Sequence, residues 1–172
     1  DTLYIGVDGD GTSNAWLGEL DDIRIYNHAR TQKQILQDMY GDHNAVHPVA
    51  YWSLDEGTGQ TVSSSHGDKL KMSDSTLDGT LGSSAGDTTG DPDWITTETS
   101  CHKGKCLDFV TANSDWVDVG DLSININSVG FWVKPDATTE YFMDLDGGTH
   151  YIYVSSGTVT ATGFSSPTIY VN

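Results

Sequence analysis

The residues with the clearest capacity for chemistry are acidic and sit at alternate positions of a strand-like run. In Trp16-Leu17-Gly18-Glu19-Leu20-Asp21-Asp22-Ile23-Arg24-Ile25-Tyr26, Glu19 and Asp21 are two apart, so on a β-strand their carboxylates project from one face. Glycoside hydrolysis from such a strand uses a triplet of carboxylates at alternating positions, so that an acid and a nucleophile project together from one face. Here the alternation next meets Ile23, with Arg24 beside it, so the second of the paired carboxylates is missing and no enzyme is expected. Asp144-Leu145-Asp146 is a second alternating pair without a third member, and reads as a solvated strand end. No phosphate-binding loop and no His-Glu-x-x-His motif occurs.

Cys101 and Cys106 are the only cysteines, and the intervening His102-Lys103-Gly104-Lys105 is a polar turn that can bring two strand ends together. A local disulfide is expected. Zinc would need about four ligands, and this stretch offers Cys101, His102 and Cys106, so a distant histidine such as His66 or His150 would have to join them. Asp8-Gly9-Asp10-Gly11-Thr12, with Glu19 at the twelfth position, has the spacing of half an EF-hand loop. Ser13 stands where that loop needs glycine, and the flanks read as strands, so an EF-hand is not expected. Trp52, Trp116 and Trp132 fall within strand-like runs and are expected in the core. Trp16 and Trp94 lie at loop margins beside Asn and Pro, where an indole either stacks on a sugar ring or packs against its own loop.

The elements that must position these residues are mostly strands. Short β-branched and aromatic runs are separated by Gly, Asp, Ser and Asn clusters, the texture of an all-β sandwich. Strands are expected over 2–7, 16–26, 50–54, 105–110, 116–119, 128–133, 141–145, 151–154, 158–162 and 168–171. The last pair but one flanks Ser155-Ser156-Gly157, read as a three-residue hairpin loop. One helix is expected over Thr31–Tyr40, where Thr31 and Gln34 have the spacing of a capping box and Gly41 can close the last turn. Its apolar stripe of Ile35, Leu36, Met39 and Tyr40 is expected to pack on a sheet edge or end. A polar linker follows over 41–48, and longer loops over 57–74 and 80–93.

The net charge of −17 is spread along the chain and would repel nucleic acid and anionic lipid, which leaves neutral glycans, cations or protein surfaces as partners. No apolar run is long enough to span a bilayer, so no membrane insertion is expected. The chain opens at Asp1 without a methionine or a signal peptide, as expected of a processed or excised piece.

Gly18-Glu19-Leu20-Asp21-Asp22-Ile23-Arg24-Ile25-Tyr26-Asn27, followed by a capped helix, resembles the closing strand and terminal helix of laminin-G-like jelly-roll domains of the concanavalin A-like superfamily. Ala50-Tyr51-Trp52-Ser53-Leu54-Asp55-Glu56-Gly57-Thr58-Gly59 resembles the opening strand and turn of the same family. Leu77-Asp78-Gly79-Thr80-Leu81, Pro92-Asp93-Trp94-Ile95, Gly104-Lys105-Cys106-Leu107-Asp108-Phe109 and Phe131-Trp132-Val133-Lys134-Pro135 follow in the family's order. The resemblance implies a two-sheet antiparallel jelly roll with one short helix after the closing strand. Because the closing motif precedes the opening one, residues 1–44 are expected to end one domain and residues 45–172 to begin the next. Laid end to end the two segments lack about one hairpin, and a two-stranded ribbon alone is marginal in water.

Three functional expectations follow from the resemblance. A structural Ca²⁺ would fall on Asp21 beside Asp55 of the opening turn, unless Asp21 serves only to accept backbone amides. Glycans would be met by Trp16 and Trp94. The function expected first is a non-catalytic structural repeat of a secreted or cell-surface protein, with identical or similar neighbouring domains as partners in a filament or tandem array. The alternative is a calcium-assisted carbohydrate-binding or adhesion domain.

Overall fold

A computed structural model of the chain describes residues 2–9, 14–40, 47–65, 77–82, 86, 89–97 and 99–163. In chain order the elements are β1 (Thr2–Ile5), β2 (Gly18–Tyr26), α1 (Gln32–Met39), β3 (Ala50–Trp52), β4 (Thr61–Val62), β5 (Ser64–Ser65), β6 (Gly79–Leu81), β7 (Asp93–Ile95), β8 (Cys106–Phe109), β9 (Val117–Asp121), β10 (Ser128–Pro135), β11 (Thr139–Asp144), β12 (Tyr151–Ser155) and β13 (Thr158–Ala161). They form a seven-stranded sheet, β13-β12-β11-β1-β9-β6-β4, and a six-stranded one, in which β5-β3-β2-β8-β7 is joined by β10 on β2. All pairings are antiparallel. The two sheets pack as an all-β sandwich, as the strand texture predicts.

Alternation explains the packing. Leu3 and Ile5 of β1, Leu20, Ile23 and Ile25 of β2, Trp52 of β3, and Leu107 and Phe109 of β8 all turn inward and are buried. Removing this apolar surface from water is the main force that closes the sandwich.

Strands from residues 1–44 and from the rest of the chain lie side by side in both sheets. β1 sits between β11 and β9, with Tyr4 opposite Asp144 on one side and Asp118 on the other. β2 pairs β10 along one edge and β3 and β8 along the other. The sequence leads one to expect each segment to find its partners in a neighbouring domain; within this chain the two segments close on one another. Unpaired strand edges and open apolar faces are costly, and these two edges are complementary.

Two local expectations change. The β12–β13 loop has two residues, because Ser155 pairs Thr158 and both Ser156 (φ 52) and Gly157 (φ 75) take positive φ, as a type I′ turn requires. The capping box of α1 is present, with the Gln34 amide donating to Thr31 Oγ1 and the Thr31 amide to Gln34 Oε1. No residue of α1 is buried, however, and Leu36 and Tyr40 of the apolar stripe are exposed. Polar contacts hold the helix instead: the Arg30 guanidinium donates to both oxygens of Asp38, the Tyr26 hydroxyl donates to the same carboxylate, and Arg30 lies over the Tyr26 ring. Residue 41, most of the expected linker and strand 168–171 lie outside the described residues.

Candidate functional site

The outer face of the six-stranded sheet carries the alternating carboxylates. Opposite Phe131 of β10, β2 holds two residues, Asp22 and Ile23, so the register slips between Gly130 and Trp132. Asp22 takes the bulge with φ 57. Ile23 therefore stays in the core and Arg24 turns outward, in line with Glu19 and Asp21. The third position of the acidic row is thus a guanidinium. Arg24 pairs with Asp22 at 3.0 Å and covers the ring of Tyr51, whose hydroxyl donates to Asp22.

Cross-strand pairing sets the rest of the face. Asp21 stands opposite Trp132, and Glu19 stands between Lys134 of β10 and Asp108 of β8. Lys134 Nζ donates to Glu19 Oε1 at 2.6 Å, while Glu19 Oε2 is buried and has no hydrogen-bond partner among the described residues. Burial, reinforced by the charge of Glu19, raises the pKa of Asp108.

Cys101 and Cys106 are joined by a disulfide, as their spacing predicts, and the loop it closes lies across this face. The two residues expected to share a metal both brace that loop. The Lys103 amide donates to Asp21 Oδ2 at 3.0 Å and the Lys105 amide to Asp55 Oδ1 at 2.8 Å. Gly104 between them has φ 67, and a Cβ there would collide with Asp55 Oδ1, so glycine is required for the loop to come so close. Lys105 Nζ closes the clamp by donating to the carbonyl of Glu56.

Together these residues enclose a pocket of ≈ 210 Å³, walled by Glu19, Asp21, the Cys101–Cys106 disulfide, His102, Trp132 and Lys134. Asp21 is only 3% exposed, and its buried Oδ1 has no hydrogen-bond partner among the described residues. Loss of hydration pushes its pKa up to about 7, against the pull of the Lys103 amide and with help from the charges of Asp22 and Asp55. His102 stacks on Trp132, and partial burial lowers its pKa, with Asp22 opposing the shift.

Calcium needs six to eight oxygens around it. Asp21 Oδ2 and Asp55 Oδ1 each face an amide hydrogen, and among the described residues no group of three or more His, Cys, Asp or Glu side chains could hold a metal ion. The pair does not fit a Ca²⁺ cage; the amide-accepting role is the one its geometry supports. The EF-hand-like residues 10–13 lie outside the described residues.

The tryptophans depart from expectation in both directions. Trp16 is fully buried, edge-on against Phe142, and presents no face to a sugar. Its burial is set by β11, far away in sequence, which the loop-like neighbours Asn14 and Ala15 conceal. Trp94 is half-buried against the core and its indole donates to the Gly59 carbonyl. Trp52 is in the core as expected, with its indole N–H donating to the Leu77 carbonyl. Trp132 and Trp116 are half-buried on the outer faces, where Trp116 tilts against Tyr4.

Comparison with protein-family models, with curated proteins and with solved structures found no match to the chain.

Proposed function

We propose that this chain is a non-catalytic structural repeat of a secreted or cell-surface protein, laminin-G-like in design, that joins identical or similar domains through an open sheet edge. The observation that carries this reading is β10. All eight of its residues run along the edge of the six-stranded sheet, and among the described residues it pairs β2 alone. Val129, Phe131 and Val133 pack against the core from this edge yet remain partly exposed. A long edge that carries apolar side chains and has one partner strand among the described residues is a template for another strand. Arg24 in the acidic row speaks against glycoside hydrolysis, and the disulfide suits an oxidising compartment. No helix among the described residues is long and apolar enough to cross a membrane.

Sedimentation of the 172-residue chain over a range of concentrations tests the reading. Reversible association is expected. It should be lost in Gly130→Lys, which puts a charge on the edge where an added Cβ meets nothing within 4 Å, while the melting curve stays cooperative. A wild-type chain that stays monomeric throughout would overturn the proposal.

A carbohydrate-binding reading draws on a separate feature. Tyr141, Tyr151 and Tyr153 form a half-exposed aromatic row on the outer face of the other sheet, with Tyr141 and Tyr153 stacked at 5.0 Å. Glycan binding abolished by Tyr153→Ala would favour it.

A further inference from the structure

We infer that α1 and the segment leading into β10 extend the β10 edge into one docking surface, and that its occupant is a second copy of this chain. The inference rests on the reading of β10 as a joining edge; it adds the rest of the contact. Three large hydrophobic side chains are exposed among the described residues, and none of them is in the core-facing part of a strand. Leu36 (43%) and Tyr40 (80%) belong to α1 and its C-cap, and Ile124 (37%) lies on the way into β10, which begins at Ser128. Hydrogen bonds tie the two places together. The Asn127 side-chain amide donates to the Asn27 carbonyl, the Ser128 hydroxyl to the His28 carbonyl, and the Arg30 amide to Ser128 Oγ, so the approach to α1 is fastened to the start of β10. The helix itself is not placed by burial. Eight residues alone are marginal as a helix in water, and α1 is held by its capping box and by the grip of Arg30 and Tyr26 on Asp38. Leu36 and Tyr40 are thereby presented in a fixed position, lining one cleft with Lys33.

Size and charge choose the occupant. An eight-residue edge is a strip about 27 Å long and about 10 Å deep, roughly 270 Å², whereas a stable interface covers about 800 Å² on each partner. The edge of β10 is too small alone, and the exposed apolar surface fastened beside it is that of α1. Residues 27–40 hold Arg30 and Lys33 against the single acid Asp38, a net charge of +1 in a chain whose net charge is −17. Arg30 already pairs with Asp38, so Lys33, exposed beside Leu36 and Tyr40, is the charge offered outward. It calls for an acidic surface. Because the acidity of this chain is spread along its length, a second copy supplies one.

The test is sedimentation equilibrium of the whole chain carrying Leu36→Ser and Tyr40→Ser together, two exposed changes outside the capping box and the Asp38 contacts. The dissociation constant of the self-associated chain should rise at least about tenfold, the effect of losing one strong interface contact. Lys33→Glu should raise it about threefold at low salt and less at about 1 M salt. An NMR titration reads the same contact without any variant: as unlabelled chain is added to isotope-labelled chain, the amides of Leu36, Tyr40 and Ile124 should shift together with that of Phe131. An unchanged dissociation constant in either variant, or shifts confined to β10, would overturn the inference; if Gly130→Lys still abolished association, the edge reading would stand without it. A wild-type chain that never associates would overturn both.

Discussion

The imidazole of His102 lies flat on the indole of Trp132, with ring centroids 3.6 Å apart and planes 11° from parallel. A protonated imidazole quenches indole emission on contact, so Trp132 reports the charge of its neighbour. Because burial holds the pKa of His102 below 6.5, the emission is expected to fall only as the pH drops beneath that value. His102→Ala should remove the transition. A midpoint above 6.5 would contradict the stacked, partly dehydrated ring.

Two buried carboxyls contribute to the pH dependence of stability. Asp21 is raised to about 7 and Asp115 to about 6, in both cases chiefly by burial, and the folded chain therefore holds these protons more tightly than the unfolded chain does. The stabilisation they give is complete below the unfolded value of 3.8 and is lost as the pH rises through about 6 to 7. Thermal melts should thus show a higher Tm at pH 5 than at pH 8. Asp21→Asn should flatten the upper part of that slope and stabilise the chain at pH 8, by at most about 4 kcal/mol. A Tm that climbs from pH 5 to pH 8 would be the contrary result.

The disulfide closes a small loop, so its chain-entropy contribution is modest, about 2 kcal/mol. Reduction should lower the free energy of unfolding by that amount, and with it the urea midpoint, without unfolding the sandwich, since Asp21 and Asp55 still hold the loop through its amides. The check is a pair of urea melts with and without reductant, with free thiols counted by mass spectrometry. Two free thiols in protein from its native source would dismiss the bond altogether.

Trp16 and Trp94 should separate cleanly. Trp16→Ala empties a fully buried site against Phe142 and is expected to cost about 3–5 kcal/mol. Trp94→Ala removes a half-buried ring and one hydrogen bond to Gly59, and should cost clearly less in the same urea melts. Similar losses at the two positions would mean that Trp16 is not the core residue described.

Much of this fold is legible from local chemistry. Thr31 and Gln34 announce the start of α1, the spacing of Cys101 and Cys106 announces their bond, and period-two runs announce the longer strands. The short strands β4 and β5, of two residues each, have no period to display and are hidden within an apparent loop. What long-range pairing decides stays hidden as well. The bulge at Asp22 turns Arg24 outward, Phe142 buries Trp16, and the disulfide loop brings Asp21 and Asp55 onto neighbouring amides. In each case the deciding partner lies well away in the sequence. The spacing of Glu19 and Asp21 shows a pair on one face; only the cross-strand neighbours show that it borders a pocket.

The place of β1 and β2 in the sheets also governs how the chain can be made. Pairing joins Thr2 to Asp121, Ile5 to Met143 and Gly18 to Pro135, so β1 and the start of β2 find partners in strands that are synthesised well after them. At translation rates of about 5–20 residues per second, β1 waits many seconds for these partners with Leu3 and Ile5 unsheltered. Such distant pairing makes folding slow, and the nascent chain is an evident client for chaperones that hold extended hydrophobic strands.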